Sequence, residues 1–405
     1  MRKILLSVVC LAIAGMVSTS CNKKNVNTVE FSLYGTDMKV RFDASLREAM
    51  KDNSREEVRK CLVWIKASTT ATLADCQRIK QELNLSDWAY VKMLERFAIA
   101  SLDSTNEAVL LMYDMLTRSG YGALVSTYGD GQLKLWYQTD ALIFNNPSIE
   151  LNSQHFFLYG DTVVNGETAM LDKMEGKPID FRYQGEMKLA QKLTEPRTIT
   201  SKKDSTFTFT VQMNQNLIDY YKDVPPAAYD ENFMTRWTTM AGYEFEQSLK
   251  DSLIAQMKKR VTGLSQIDAV QELLWWVQTG LDFEYDEKVW GRDRYFYPEE
   301  TLYYPYADAE DRSVLFARLI KDVMGLDVAL VYYPVGHVAA AVCITEAVVK
   351  GDFLKLEDDR FVICDPTYVG AYIGETMPGM KNDDAKIMSV GELTHEHEHE
   401  HNHTH

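Results

Sequence analysis

Shifting the chain by 205 residues against itself lays Asp103, Val109, Leu110, Gly120, Tyr128 and Gly131 on Asp308, Val314, Leu315, Gly325, Tyr333 and Gly336. Gln132 then falls on His337, and the run His155 to Gly160 falls on Arg360 to Asp365. A long internal echo constrains a fold more than any single motif, because both copies must bury the same apolar faces. Its pattern is helix, glycine, strand, turn, strand. That implies two tandem related copies, although the same order is also a common generic arrangement. The apolar phase of the helix fits a shift of 204 better, so the counterpart of Ala309 is Ser104 or Thr105.

Periodicity supplies the fold class. Apolar residues recur at helical spacing through 44–119, as in Val58, Cys61, Leu62 and Ile65, and again from about 233 to 279. Leu133–Tyr137, His155–Tyr159 and Ser205–Val211 alternate as strands do. Beyond them Asp308 caps a helix that Gly325 stops, and strands are expected at 327–333, 337–342 and 360–365. The expectation is an α+β protein with a helix packed on antiparallel sheet. Its divisions are 1–20, a leader; 21–170, helical plus β; 171–245, a β-rich linking region; 246–385, a second core; and 386–405, a histidine-rich flexible tail.

Arg2-Lys3, the apolar run Ile4–Val17 and the small residues 18–20 ahead of Cys21 are laid out as an export signal. The layout resembles a lipoprotein leader, with Cys21 the lipidated residue and a membrane anchor in the cell envelope as the consequence. No later segment is long and apolar enough to span a bilayer. The formal charge is -16, or -18 once Arg2 and Lys3 leave with the leader. No basic stripe is visible, so nucleic acid is not an expected partner.

The chemistry concentrates in three short motifs. These are Asp308-Ala309-Glu310-Asp311-Arg312 at a helix start, Gly336-His337 opening a strand, and Asp365-Pro366-Thr367-Tyr368 ending another. In that order they resemble the transglutaminase-like superfamily, which has a papain-like thiol fold. The likeness covers about residues 265–380, including the lead-in Phe296-Tyr297-Pro298-Glu299-Glu300. It implies that position 309 is the nucleophile position, His337 the base and Asp365 the group that orients it. The family places cysteine where this chain has Ala309. A thiol at a helix N-terminus beside an imidazolium is stabilised as thiolate. Alanine offers no attacking atom, and losing the nucleophile in a comparable serine triad costs on the order of 10⁶-fold in rate. Two readings follow. One is an inactive core kept for binding or assembly, with a peptide, protein or cell-wall fragment in its groove and Trp275, Trp276, Trp290, Tyr303 and Tyr304 as candidate lining. The other is a thiol peptidase, amidase or transamidase whose cysteine has been replaced by alanine in this chain.

No other residue is expected to take over. Cys343 lies six positions past His337 on one strand, about 20 Å away. Cys364 should face away from Asp365, and Ser313 reads as a helix-surface hydroxyl. No cofactor is implied. His395, His397, His399 and His401 in the tail could hold a metal such as Zn²⁺, and an appended tag gives the same pattern.

Overall fold

The computed structural model describes residues 26–48, 52–127, 131–160, 169–183, 185–229, 232–346 and 349–391. It opens on a hairpin, Val26–Leu33 and Thr36–Asp43, that turns at Tyr34-Gly35 with φ of 44° and 67°. No sequence expectation covered this hairpin. Helices at 55–68, 70–82, 87–102 and 106–118 follow, with side-chain N-caps from Ser54, Ser86 and Thr105 on three of them.

Two five-stranded antiparallel sheets then carry the fold. The first runs, from edge to edge, 148–151, 154–158, 133–138, 123–127, 169–174; the second runs 353–356, 359–364, 337–343, 328–333, 386–389. Strand order and direction are the same in both. The register agrees as well, since adding 205 carries Val125↔Leu135 onto Leu330↔Ala340 and Trp136↔Leu158 onto Ala341↔Ile363. It also carries Ile149↔Phe156 onto Leu354↔Phe361. A one-residue slip would move every side chain to the opposite face, so the shared register places equivalent side chains on equivalent faces. Leu124, Trp136, Phe156 and Leu158 cluster on the outer face of the first sheet. At the same shift Ala329, Ala341, Phe361 and Ile363 belong to the outer cluster of the second.

The preceding helices match at both ends, with one difference. Their N-caps, Thr105 and Asp308, lie 203 residues apart, while Gly120 and Gly325 lie 205 apart. The second helix is therefore two residues longer, and its last turn, Ile320–Met324, is π-helical, a wider winding that takes up extra chain. Counted from the cap, the counterpart of Ala309 is Asn106, not Ser104 or Thr105. A constant sequence shift could not register the two inserted residues.

Between the sheets lie the short hairpin Arg197–Thr200 and Thr208–Val211 and the helices Gln215–Asp223 and Thr235–Gly242. The linking region is thus mixed, and the first sheet's last strand, Ala169–Met174, crosses into it. One apolar core runs through both halves, from Leu33 to Val390. The strand Lys386–Ser389 pairs with Ala329–Tyr332, so these residues belong to the sheet and not to the tail. Four residues are too short a run to show a strand period, and their conformation is set by the partner strand.

Several carboxyls are buried with this core. Burial pushes Glu299 up to about 8, and its Oε1 accepts from Glu246 N at 2.7 Å while Oε2 has no partner. Burial likewise raises Glu300 to about 7, against Arg294. The unfolded chain loses these protons near pH 4.3, so the folded state holds protons that the unfolded state has released. Stability is full below that value and falls as pH rises through about 7 and 8. The melting temperature is therefore expected to drop between pH 5 and pH 8.5. Glu299→Gln, which keeps an acceptor for Glu246 N without a charge, should flatten that decline. An equal slope in both proteins would count against a protonated Glu299.

Candidate functional site

The helix Ala309–Leu319 is buried on all sides, with ten of its eleven residues inside. It packs on Thr235–Gly242, Gln266–Gly280, Pro298–Tyr303 and the strand His337–Cys343. Its polar residues are therefore structural. Asp308 caps the helix by accepting from Asp311 N at 3.4 Å, and Asp311 Oδ1 accepts from Phe296 N at 2.9 Å. The Arg312 guanidinium donates to the carbonyls of Ala307 (3.2 Å), Gln278 (3.2 Å) and Leu281 (2.9 Å). Two of these belong to the end of the helix Gln266–Gly280, where carbonyls lack helical donors.

Ser313 is fully buried and donates to Val338 O at 3.1 Å. The surface position expected for it is wrong, because this helix has no solvent face. The bond fixes the site's geometry all the same. Positions 309 and 313 lie one turn apart on one face, and that face meets the start of the strand led by His337.

His337 and Asp365 are brought together: imidazole Nε2 and carboxylate Oδ2 are 2.8 Å apart. The bond leaves Nδ1 as the nitrogen not committed to Asp365. The Tyr333 ring lies nearly parallel to the imidazole, with centroids 6.0 Å apart. Asp365 Oδ1 accepts from Thr367 N (2.8 Å), Thr367 Oγ1 (2.7 Å) and Tyr368 N (3.1 Å), so the Asp-Pro-Thr-Tyr motif is a turn closed on its own carboxylate. Burial alone would raise the Asp365 carboxyl, but its bonds to His337 and Thr367 outweigh that and hold it below the usual range.

Two residues that the sequence reading missed hold this loop. Gln278 Nε2 donates to Asp365 O at 2.9 Å and its Oε1 accepts from Gly370 N at 3.1 Å. Gln271, two turns earlier, accepts from Ile373 N at 2.9 Å and donates to Ala371 O at 3.4 Å. The signal was available: two glutamines seven apart in an otherwise apolar run must find partners once buried. Gln278→Leu keeps the volume and removes both bonds. The expected result is faster amide exchange at Gly370 than in the unaltered chain, with unaltered protection in the distant helix 87–102.

Carboxyls crowd the helix start. Burial, then Glu310 and Asp286, push Asp308 up to about 8, and burial takes Asp286 to about 6. Close in sequence to Asp286, His337 and Asp365, the apolar or aromatic residues Tyr285, Val335 and Val369 are 68%, 71% and 63% exposed. Of the candidate lining residues, Trp276 is core against Phe207 and Phe209, and Tyr304 is buried on Phe296. Trp275, Trp290 and Tyr303 are half-buried.

Cys61, Cys76, Cys343 and Cys364 are all buried free thiols. In the first half, Gln132 and Gly160 hold the positions of His337 and Asp365. Asn106 there accepts from Leu133 N and donates to Asn53, both at 2.9 Å. Cys21, the leader and His395, His397, His399 and His401 lie outside the described residues. Among the described residues no group of three or more His, Cys, Asp or Glu is placed to hold a metal, and no helix is long and apolar enough to cross a membrane. Comparison with protein-family models, with curated proteins and with solved structures returns no match.

Proposed function

We propose that residues 265–380 form a transglutaminase-like, papain-like core that has lost its nucleophile at Ala309. It serves binding or assembly in the cell envelope, anchored by lipid on Cys21, and takes a peptide, protein or cell-wall fragment in the groove beside His337. The observation that carries this reading is the His337–Asp365 pair, held at 2.8 Å, with His337 on a strand whose start packs against the helix that opens at Ala309. On the same reading the first sheet and its helix are a degenerate copy, supported by the register common to both sheets.

Ammonia release from a glutamine-containing peptide tests the inactive assignment, because acyl transfer or hydrolysis at a carboxamide liberates it. The chain as it stands should release none above the rate without protein; release that survives thiol blocking would overturn the reading. Cys21→Ser should move the protein from the membrane fraction to the soluble fraction of producing cells. An unchanged distribution would remove the lipid anchor from the proposal.

The oriented dyad also favours the second reading, a thiol peptidase, amidase or transamidase whose cysteine has been replaced. An imidazole with a buried carboxylate on one nitrogen is what a thiolate needs, and a binding module gains nothing from it. Turnover by Ala309→Cys on the same peptide would place this reading first.

A further inference from the structure

A cleft of about 370 Å³ opens between the helix Gln266–Gly280 and residues 349–350 and 372–373. One wall is a face of the helix Gln266–Gly280, where Asp268, Glu272 and Trp275 follow at helical spacing. The other wall is Tyr372, 54% exposed, with Lys350 beside it. The Tyr372 and Trp275 rings meet at 75° with centroids 5.4 Å apart, so Trp275 supports Tyr372 from the side. Lys203 Nζ sits 4.9 Å from the centroid of the Trp275 ring.

The wall is fixed before anything binds. Gln271 spends both amide atoms on the backbone of Ala371 and Ile373, which sets the position of Tyr372 between them. Asp268 has one oxygen engaged by Ser265 Oγ at 2.8 Å, and Glu272 meets Arg260 only at 3.5 Å. Each carboxylate therefore keeps accepting capacity.

We propose that this cleft binds a neutral pyranose oligosaccharide. A sugar ring has an apolar C–H face that packs on an aromatic ring and a rim of hydroxyls that donate to carboxylates, the two chemistries that Tyr372 and the Asp268–Glu272 pair supply. Charge decides against the alternatives. The cleft is lined by Asp268, Glu272 and Lys350, with Lys203 over the neighbouring Trp275 ring, and this near balance of charge favours a neutral ligand over an anion or a cation. A peptide added as a β-strand would need a free strand edge, and both walls here are a helix face and a loop. The site does not depend on the transglutaminase-like reading, since neither Ala309 nor His337 lines it.

Isothermal titration of the full chain with β-1,4-linked N-acetylglucosamine trimer and with cellotriose tests the proposal. Saturable binding of at least one, with Kd on the order of 0.1–1 mM, is expected. Tyr372→Ala, at a half-exposed position, should weaken it at least about tenfold, while His155→Ala, on an exposed strand position of the first sheet, should leave it unchanged. No saturation by either sugar up to about 10 mM, or equal binding by Tyr372→Ala, would overturn the proposal. An apolar tripeptide that binds as tightly as the sugars and is lost in Tyr372→Ala would also overturn it, in favour of a peptide site.

Discussion

Ala309→Cys is expected to create the fastest-alkylating thiol in the protein. A cysteine there would occupy the first turn of a helix, where free backbone N–H groups and the dipole stabilise thiolate. His337 stands at the start of the strand which that helix face meets, with Nδ1 not used in the bond to Asp365. Asp365 stays ionised because its pKa is held low, so it stabilises the imidazolium that accepts the thiol proton. The native thiols have no such help. Burial pushes Cys61 and Cys76 up to about 12, and raises Cys343 and Cys364 too. At pH 7 a thiol with a pKa near 12 is about 10⁻⁵ thiolate, whereas an activated one near 7 is about half ionised. The expected advantage in iodoacetamide labelling at pH 6–7 is at least about 10³-fold, read by peptide mapping. The raised carboxyls of Asp308 and Asp286 oppose a nearby anion, and they do so least while protonated. The advantage should therefore narrow toward pH 8. Labelling at 309 no faster than at Cys61 would overturn the thiol-enzyme reading and leave the binding reading ahead.

Arg312→Ala should be among the most destabilising single changes available. The side chain is 1% exposed and bonds to three carbonyls from two segments, so its removal leaves a cavity and three acceptors without donors. Burial lowers its pKa only to about 10, so it remains charged at neutral pH. Stranding buried partners of a charged group costs about 3–5 kcal/mol, which should appear as a lower urea midpoint. Arg312→Lys restores one point of donation and should recover part of the loss. A midpoint within about 0.5 kcal/mol of the unaltered chain would mean that water enters and satisfies the carbonyls. The same variant in the Ala309→Cys background should slow labelling at 309, because Arg312 ties the start of that helix to the helix that positions the Asp365 loop.

Local chemistry accounts for what could be read from the sequence. Ser54, Ser86, Thr105 and Asp308 accept from first-turn N–H groups as cap residues do, and Gly325 takes the left-handed conformation that stops its helix. The expected strand at 205–211 is shorter, at Thr208–Val211, because Asp204 and Ser205 bind the intervening backbone and side chains as a turn. The hairpin at 26–43 carries a local cue as well, since Val29, Phe31 and Leu33 alternate before Tyr34-Gly35 and Met38, Val40 and Phe42 alternate after it. The strand at 386–389 is only four residues long and is set by its partner strand.

For the site, the sequence determined which residues could meet and in which order: Asp308 as cap, His337 opening one strand, Asp365 closing another, and no thiol at 309. It also determined the internal echo, since conserved spacing between strands survives as a constant shift. Only the tertiary structure decided the rest. Burial of the helix 309–319 on every side turned Ser313 inward and made Asp311 and Arg312 into framework, which a one-sided apolar stripe does not foretell. Strand pairing set His337 against Asp365 at 2.8 Å, and the two glutamines of a distant helix fixed the loop between them. Side-chain spacing is a property of one element, whereas burial and hydrogen-bond partners come from elements remote in the chain. The sequence could therefore name the dyad but not what holds it.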